Sequence, residues 1–301
     1  STSQKGRLEK IQRSNTITHI SFQTNKQKTK ETLNFRRKCK RRSMTDKERK
    51  RLSVVVPTYD ESLNIRPLCE RLFKASNKSK LIVELIIMDD DSGDGTVKTE
   101  SIVKDLKAEG YAIRIHVRRK GEGRGLSSAV MLGLSKAKYD TMLVMDADLQ
   151  HEPEAVPSVA KPVLTRQAEF SVGSRNVEGG KVAAWSFIRK LISFVATILA
   201  RPLTTCTDPM SGFFCISREV FERGSSKCNV MGFKIGLELM VRCNANPVKD
   251  VPITFRDRIA GESKLSMKQN FLYVSITYLS HSVSLEHHHQ QQQQQQQIER
   301  F

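Results

Sequence analysis

LVMDADLQHEP, residues 143–153, ends an apolar run on a cluster of acids. Met142 to Met145 lead directly into Asp146, Ala147, Asp148, Leu149, Gln150 and His151. Strands buried on both faces of a parallel sheet read as unbroken apolar runs, because helices cover each face. A run that stops at two carboxylates and an amide is therefore read as a strand that delivers polar groups to the rim of such a sheet.

The same alternation extends outward in both directions. LSVVVPTY (52–59) predicts a strand closed by a proline turn, followed by a helix over about 62–76. VELIIMDD (83–90) predicts a second strand with a helix near 96–109, and AIRIHV (112–117) a third. RRKGEGRG (118–125) lacks the dinucleotide-binding glycine spacing and reads as a flexible lid or connector before a helix at 126–138. YDTMLVMD (139–146) is the fourth strand, and a helix near 153–165 leads to AEFSVGSR (168–175), the fifth. Strands alternating with helices predict an α/β fold, a Rossmann-like, mainly parallel sheet flanked by helices, in a single domain. Ligands bind such sheets beyond the carboxyl ends of the strands. The polar clusters at Pro57–Glu61, Asp89–Gly95, Asp146–Asp148 and Gly173–Arg175 all fall there.

The residue types at those tips set the chemistry. Asp146, Asp148 and Gln150 offer hard oxygen ligands, which suit Mg2+ or Mn2+; the plain alternative is an acidic surface turn. Asp89, first after its strand, is placed to accept from a base or ribose hydroxyl, while Asp91, Ser92, Asp94 and Thr96 carry turn and cap chemistry. No nucleophile elbow and no phosphate-binding loop with a terminal Lys-Ser/Thr occurs.

Charge and composition divide the chain. Of the formal net charge of +18, residues 1–51 supply 17 Lys and Arg against four acids, so the basic character belongs to the tail. That tail, with FRRKCKRR (35–42), lacks an apolar stripe and is expected to be largely disordered. Anionic lipid headgroups, nucleic acid, or solvent and targeting alone are its three readings. The body lacks the interleaved aromatic and basic residues that stack bases, so nucleic acid is not expected as a partner. Six scattered cysteines without a C-x-x-C pair argue against zinc and a disulfide framework. No secretory signal is expected, and no stretch reaches the ~18–20 apolar residues of a membrane span. VAAWSFIRKLISFVATILARPL (182–203), with Trp185 and basic punctuation, reads as an interfacial helix on a membrane surface, against the alternative of a buried core helix. Residues 269–284 read as a C-terminal amphipathic segment. Residues 285–301, LEHHH followed by eight glutamines and four further residues, look like a vector scar with a polyglutamine run and are set aside.

Six ordered stretches, VVVPTYDE, IIMDDDSGDGT, VMDADLQHEPE, VGSR, TDPMSGFF and RDRIAGESKL, span about residues 52–268 and together resemble the family-2 inverting glycosyltransferases of the GT-A fold. The resemblance implies GDP-mannose as donor and dolichyl phosphate as acceptor, with UDP-glucose as the alternative donor. It implies that Pro57, Tyr59, Glu61, Ile87 and Asp89 line the nucleotide together with Asp146, Ala147 and Asp148. Asp146, Asp148 and Gln150 would hold the metal, Asp146 would also lie near the sugar, and Arg175, Arg258 and Lys264 would bind phosphates, with Asp146 and Arg175 as the catalytic pair. It further implies peripheral attachment to the cytosolic face of the endoplasmic reticulum, with small membrane-anchoring subunits as partners. The family more often carries Asn where this chain has Asp60 and Pro where it has Gly93. One implication meets independent physical support: a phosphate monoester is largely dianionic at neutral pH and needs no general base, only cations to position it.

Overall fold

The computed structural model describes residues 50–256, apart from Lys120, Glu122, residues 183–193, Ala196 and residues 230–233. The basic tail up to residue 49, most of the 182–203 stretch including Trp185, Arg258, Lys264 and segments 269–284 and 285–301 lie outside the described residues. In chain order the elements are β1 (Arg51–Thr58), α1 (Ser62–Lys78), β2 (Ile82–Asp89), α2 (Asp94–Ala108), β3 (Ile113–Val117), α3 (Leu126–Lys136), β4 (Thr141–Val144), α4 (Val156–Leu164) and β5 (Phe170–Ser174). They continue with β6 (Lys181–Val182), β7 (Phe214–Ser217), α5 (Arg218–Gly224), α6 (Ile235–Arg242), β8 (Val248–Pro252) and β9 (Thr254–Phe255). Seven strands form one sheet in the order β3-β2-β1-β4-β7-β5-β8, and β6 pairs with β9 apart from it. All pairings in the large sheet are parallel except those of β7, which runs against both β4 and β5.

The sheet has a core on each face, and β1 shows why. Leu52, Val54 and Val56 point into one core with Leu85, Ile87 and Leu143, under Ile65, Leu68 and Leu72 of α1. Val55 points the other way, with Ile86, Met88 and Met142, under Ala129, Val130 and Leu134 of α3. Successive side chains alternate faces, so a strand buried on both faces must be apolar throughout. Each such side chain contributes about 1.5–3 kcal/mol on burial. The five expected strands occur within a few residues of their expected bounds. The antiparallel β7, inside TDPMSGFF and the residues after it, and the short β8 are strands that the apolar pattern does not announce.

Helix α3 comes close to the sheet at Gly133, where an added Cβ would overlap the Val55 Cγ1 methyl and lie 2.9 Å from Met88 Cγ. Gly133→Ala is therefore expected to destabilise the fold by about 1–2 kcal/mol in urea unfolding. Helix propensity alone favours Ala by about 1 kcal/mol, so a net loss isolates the steric term.

Candidate active site

Because β1, β2, β4 and β5 are parallel, their carboxyl ends share one rim. The tip of β2 is organised by Asp89, which is fully buried and accepts from Thr58 Oγ1 (2.8 Å), Thr96 Oγ1 (2.5 Å) and the Asp91 amide (3.0 Å). These bonds tie Asp89, expected to meet a nucleotide hydroxyl, to the tips of β1 and β2 and to the start of α2. Ile87 is likewise fully buried, inside the core, and Ala147 almost so. Of the expected nucleotide residues, Tyr59 is exposed at the β1 tip, Pro57 and Glu61 are half-buried, and Glu61 accepts from Asn64 Nδ2 at 2.7 Å. Gly93, where the family more often has proline, sits at φ +74°, a conformation closed to proline.

The glycine-punctuated loop is not a loose lid where it is described. Arg118 is almost completely buried, donates to Asp90 Oδ1 through Nε (2.6 Å) and Nη2, and reaches the Gly123 carbonyl (2.8 Å), the Gly125 carbonyl (2.9 Å) and Ser128 Oγ (2.7 Å). The Gly125 amide returns a bond to Asp90 Oδ2 at 2.8 Å, and Arg124 donates to the Asp91 carbonyl at 2.5 Å. Five-donor guanidinium geometry thus ties the loop to the β2 tip.

After β4 the chain turns sharply. Leu149 takes φ +60° with its side chain buried, and the Gln150 amide donates to Asp148 Oδ1 at 3.1 Å. A left-handed non-glycine residue costs about 1–2 kcal/mol and marks a turn held for its geometry. Asp148 is buried, whereas the Asp146 side chain is 38% exposed. Gln150 Nε2 donates to the Arg256 carbonyl at 3.2 Å, which reserves the amide oxygen for a donor or a cation. Gly212 backs the Asp146 carboxylate so closely that a Cβ would lie 3.0 and 3.3 Å from its oxygens. Among the described residues no three His, Cys, Asp or Glu side chains form a metal cage. Two carboxylates and an amide oxygen at a strand end nevertheless fit Mg2+ or Mn2+, ions that take one or two carboxylates and complete their shell with water and substrate phosphates.

Arg175, expected as a phosphate ligand, lies at the end of β5 beside an acid. Its guanidinium makes a bidentate pair with fully buried Asp208, at 2.6 Å from Nε to Oδ2 and 2.8 Å from Nη2 to Oδ1, and its amide donates to Oδ2 at 3.2 Å. Its Cζ stands 5.0 Å from the centre of the Phe255 ring. Much of its charge is thereby committed within the protein. Asp208 lies within TDPMSGFF, where sequence reasoning assigns it no role; an acid two residues after a buried cysteine and before a Pro-Met-Ser-Gly turn is the available signal. Lys234, next to an unremarked Gly-Phe, also lines the cleft with Asp146, Gly212 and Leu126. Burial pushes its pKa down to about 8.

His151 is buried between Phe213 and Phe255, with ring centres at 5.2 and 5.1 Å. Its Nδ1 lies 3.6 Å from Asp146 Oδ2, without a hydrogen-bond partner among the described residues. Burial pushes its pKa down to about 4, so the imidazole is neutral near pH 7.

A mostly parallel seven-stranded sheet flanked by helices, with an acidic triplet at its carboxyl rim, matches the GT-A fold of glycosyltransferases. The family model "Glycosyl transferase family 2" matches residues 53–224, and the chain belongs to that family. It is 45% identical over 229 residues to the dolichol-phosphate mannosyltransferase of Mycosarcoma maydis, covering 74% of this chain and 76% of that protein. It is 43% identical over 230 residues to the Saccharomyces cerevisiae protein of the same name, covering 74% and 84%. Among solved structures, mannosyl-3-phosphoglycerate synthase from Rubrobacter xylanophilus superposes with a TM-score of 0.53 at 18% identity, covering 80% of this chain and 78% of that one. Glucosyl-3-phosphoglycerate synthase from Mycobacterium tuberculosis gives 0.51 at 20% identity, covering 77% and 83%. These last two likenesses concern the fold.

The buried imidazole yields a pH prediction. Its folded pKa lies below the unfolded value of about 6.5, so between pH 4 and 6.5 the unfolded chain binds more protons. Its contribution is complete above about pH 6.5 and is lost as pH falls toward 4. His151→Phe should therefore lose less stability than the parent between pH 7.5 and 5, by about 2 kcal/mol in urea unfolding. Parallel losses in the two proteins would place a solvated imidazole at this position.

Proposed function

We propose that this chain transfers mannose from GDP-mannose to dolichyl phosphate with inversion, giving dolichyl-phosphate mannose for glycosylation and GPI-anchor synthesis. The observation that carries the reading is the 45% and 43% identity to two proteins named dolichol-phosphate mannosyltransferase, each over 74% of the chain. Asp146, Asp148 and Gln150 would hold a divalent cation, Mg2+ or Mn2+, which when bound supplies Lewis-acid neutralisation of the departing diphosphate. Exposed Tyr59, with Pro57 and Glu61, offers the rim surface for the nucleotide. Asp146, partly exposed and backed by Gly212, would lie near the sugar in this reading.

The acceptor phosphate attacks the anomeric carbon as its own dianion, so no side chain has to take a proton. The nearest described imidazole agrees with this: His151 is buried, neutral and faces Asp146. Arg175, Arg258 and Lys264 would bind the phosphates in this reading, with Arg175 held in place by Asp208. Catalysis is then positioning and charge stabilisation. Among the described residues no helix is long and apolar enough to cross a membrane. Phe194, Ile198 and Leu199 expose apolar surface within the 182–203 stretch, which supports peripheral contact with the cytosolic face of the endoplasmic reticulum. Small membrane subunits would complete the attachment.

The decisive assay is transfer of labelled sugar to a short-chain polyprenyl phosphate, with GDP-mannose and UDP-glucose compared and EDTA controls alongside. Mannose transfer abolished by EDTA is expected; preference for UDP-glucose overturns the donor assignment. Asp148→Ala should lower transfer by about three orders of magnitude or more with an unchanged thermal midpoint. Gly212→Ala, which crowds the Asp146 carboxylate, should lower it about 10- to 100-fold; full activity in that variant would show that the carboxylate does not need this seat.

A further inference from the structure

Lys234 lines the cleft from the residue immediately before α6. The two residues after it fix its backbone: Ile235 is buried, and Gly236 packs so tightly that a Cβ would lie 3.1 and 3.2 Å from atoms of the Phe214 ring. From that anchored position the side chain lines the cleft shared by Asp146, Ser211 and Gly212. Its Nζ reaches the Met210 carbonyl at 3.4 Å, a weak bond for a group with three donors. Among the described residues no carboxylate forms an ion pair with it, in contrast to Arg175, which is clasped by Asp208.

A half-buried ammonium with one long bond to a neutral carbonyl is costly unless something anionic completes it. The rim already holds Asp146 and the Arg175–Asp208 pair, and a pyrophosphate or phosphate monoester brings the missing oxygens. We propose that Lys234 binds a phosphate oxygen of the substrates in the cleft beside Asp146. This rests on the proposed function for the identity of the phosphates. The downward pull of burial on its pKa, opposed by Asp146 and Asp208, agrees with a cation waiting for a counter-charge. Lysine suits this role because a compact, rotatable ammonium can follow an oxygen as bonds break and form, where a guanidinium fork would fix one orientation. Donor diphosphate and acceptor phosphate share this chemistry, and the experiment separates them.

Full-length Lys234→Met and Lys234→Arg are compared with the parent. The readouts are calorimetric affinity for GDP with Mn2+, KM for a short-chain polyprenyl phosphate, kcat, and thermal midpoint. Lys234→Met is expected to lose about 100-fold or more in kcat/KM with a midpoint equal to or above that of the parent. Lys234→Arg is expected to recover about a tenth or more of parental activity. A roughly tenfold or greater loss of GDP affinity in Lys234→Met assigns the contact to the donor. Unchanged GDP affinity with a raised KM for the lipid phosphate assigns it to the acceptor. Parental values on both readouts overturn the proposal, as does loss of cooperative unfolding in Lys234→Met together with Lys234→Gln, because the cation would then serve the fold. A parent that binds GDP but transfers no mannose defeats the proposed function instead, and the GDP arm still reads the role of Lys234.

Discussion

Strand β7 enters the sheet between β4 and β5 and runs against both. In a doubly wound sheet the loops at the ligand-binding rim are those that come after parallel strands. A reversed strand contributes instead the loop that precedes it. The register places Phe214 opposite Val144 on one side and Val172 on the other, so Thr207–Phe213 arrive at the rim between the two strands that deliver Asp146 and Arg175. Gly212 can back the Asp146 carboxylate, and Asp208 can clasp Arg175, only because of that reversal. The loop is stitched in place by Ser211 Oγ on the Gly173 carbonyl (2.8 Å), by Ser174 Oγ and Thr207 Oγ1 (2.7 Å), and by Asp250 of β8 accepting from the Thr207 amide (3.0 Å).

The buried Arg175–Asp208 pair is the most demanding element of that stitching. Taking both charges out of water costs several kcal/mol per ion, which the bidentate geometry and low-dielectric attraction offset without a large surplus. Its worth lies in registry. Arg175 at the end of β5 meets Asp208 before β7, and its guanidinium lies against Phe255 of β9, which bridges to His151 while its neighbour Arg256 donates to the Gln150 carbonyl. Four segments distant in sequence thus share one wall, and a shift in any of them would separate a charge from its partner.

Much of this is legible in the order of residues alone. Unbroken apolar strands such as LSVVV and TMLVM fit an α/β sheet covered on both faces, and their polar ends mark the rim. Direction and burial are not legible. FFCIS carries no mark of being antiparallel, so the position of TDPMSG relative to Asp146 is invisible. Asp89 and Asp90 are chemically identical neighbours, yet one is held by the hydroxyls of Thr96 and of Thr58 on β1, 31 residues away, and the other by the buried Arg118, a partner 28 residues away. Arg175 reads as a rim cation; that a buried carboxylate claims it depends on a contact 33 residues off. Long-range charge pairing leaves no periodicity behind.

The electrostatics of the rim follow from these pairings. Asp90 is matched by Arg118, Asp208 by Arg175 and Asp91 by Arg124, while Asp89 is held by hydroxyls and an amide. Beside these matched groups, partly exposed Asp146 and Lys234 line one cleft. Carboxylates alone would repel a diphosphate, and a lysine alone would hold it without neutralising the leaving group. Placed in one cleft they ask for a bound species carrying both signs: a dication for the carboxylates, and phosphate oxygens for the ammonium. A sugar nucleotide complexed with a divalent ion has that distribution. Phe194, Ile198 and Leu199 expose hydrophobic surface of the kind that the proposed membrane contact would use.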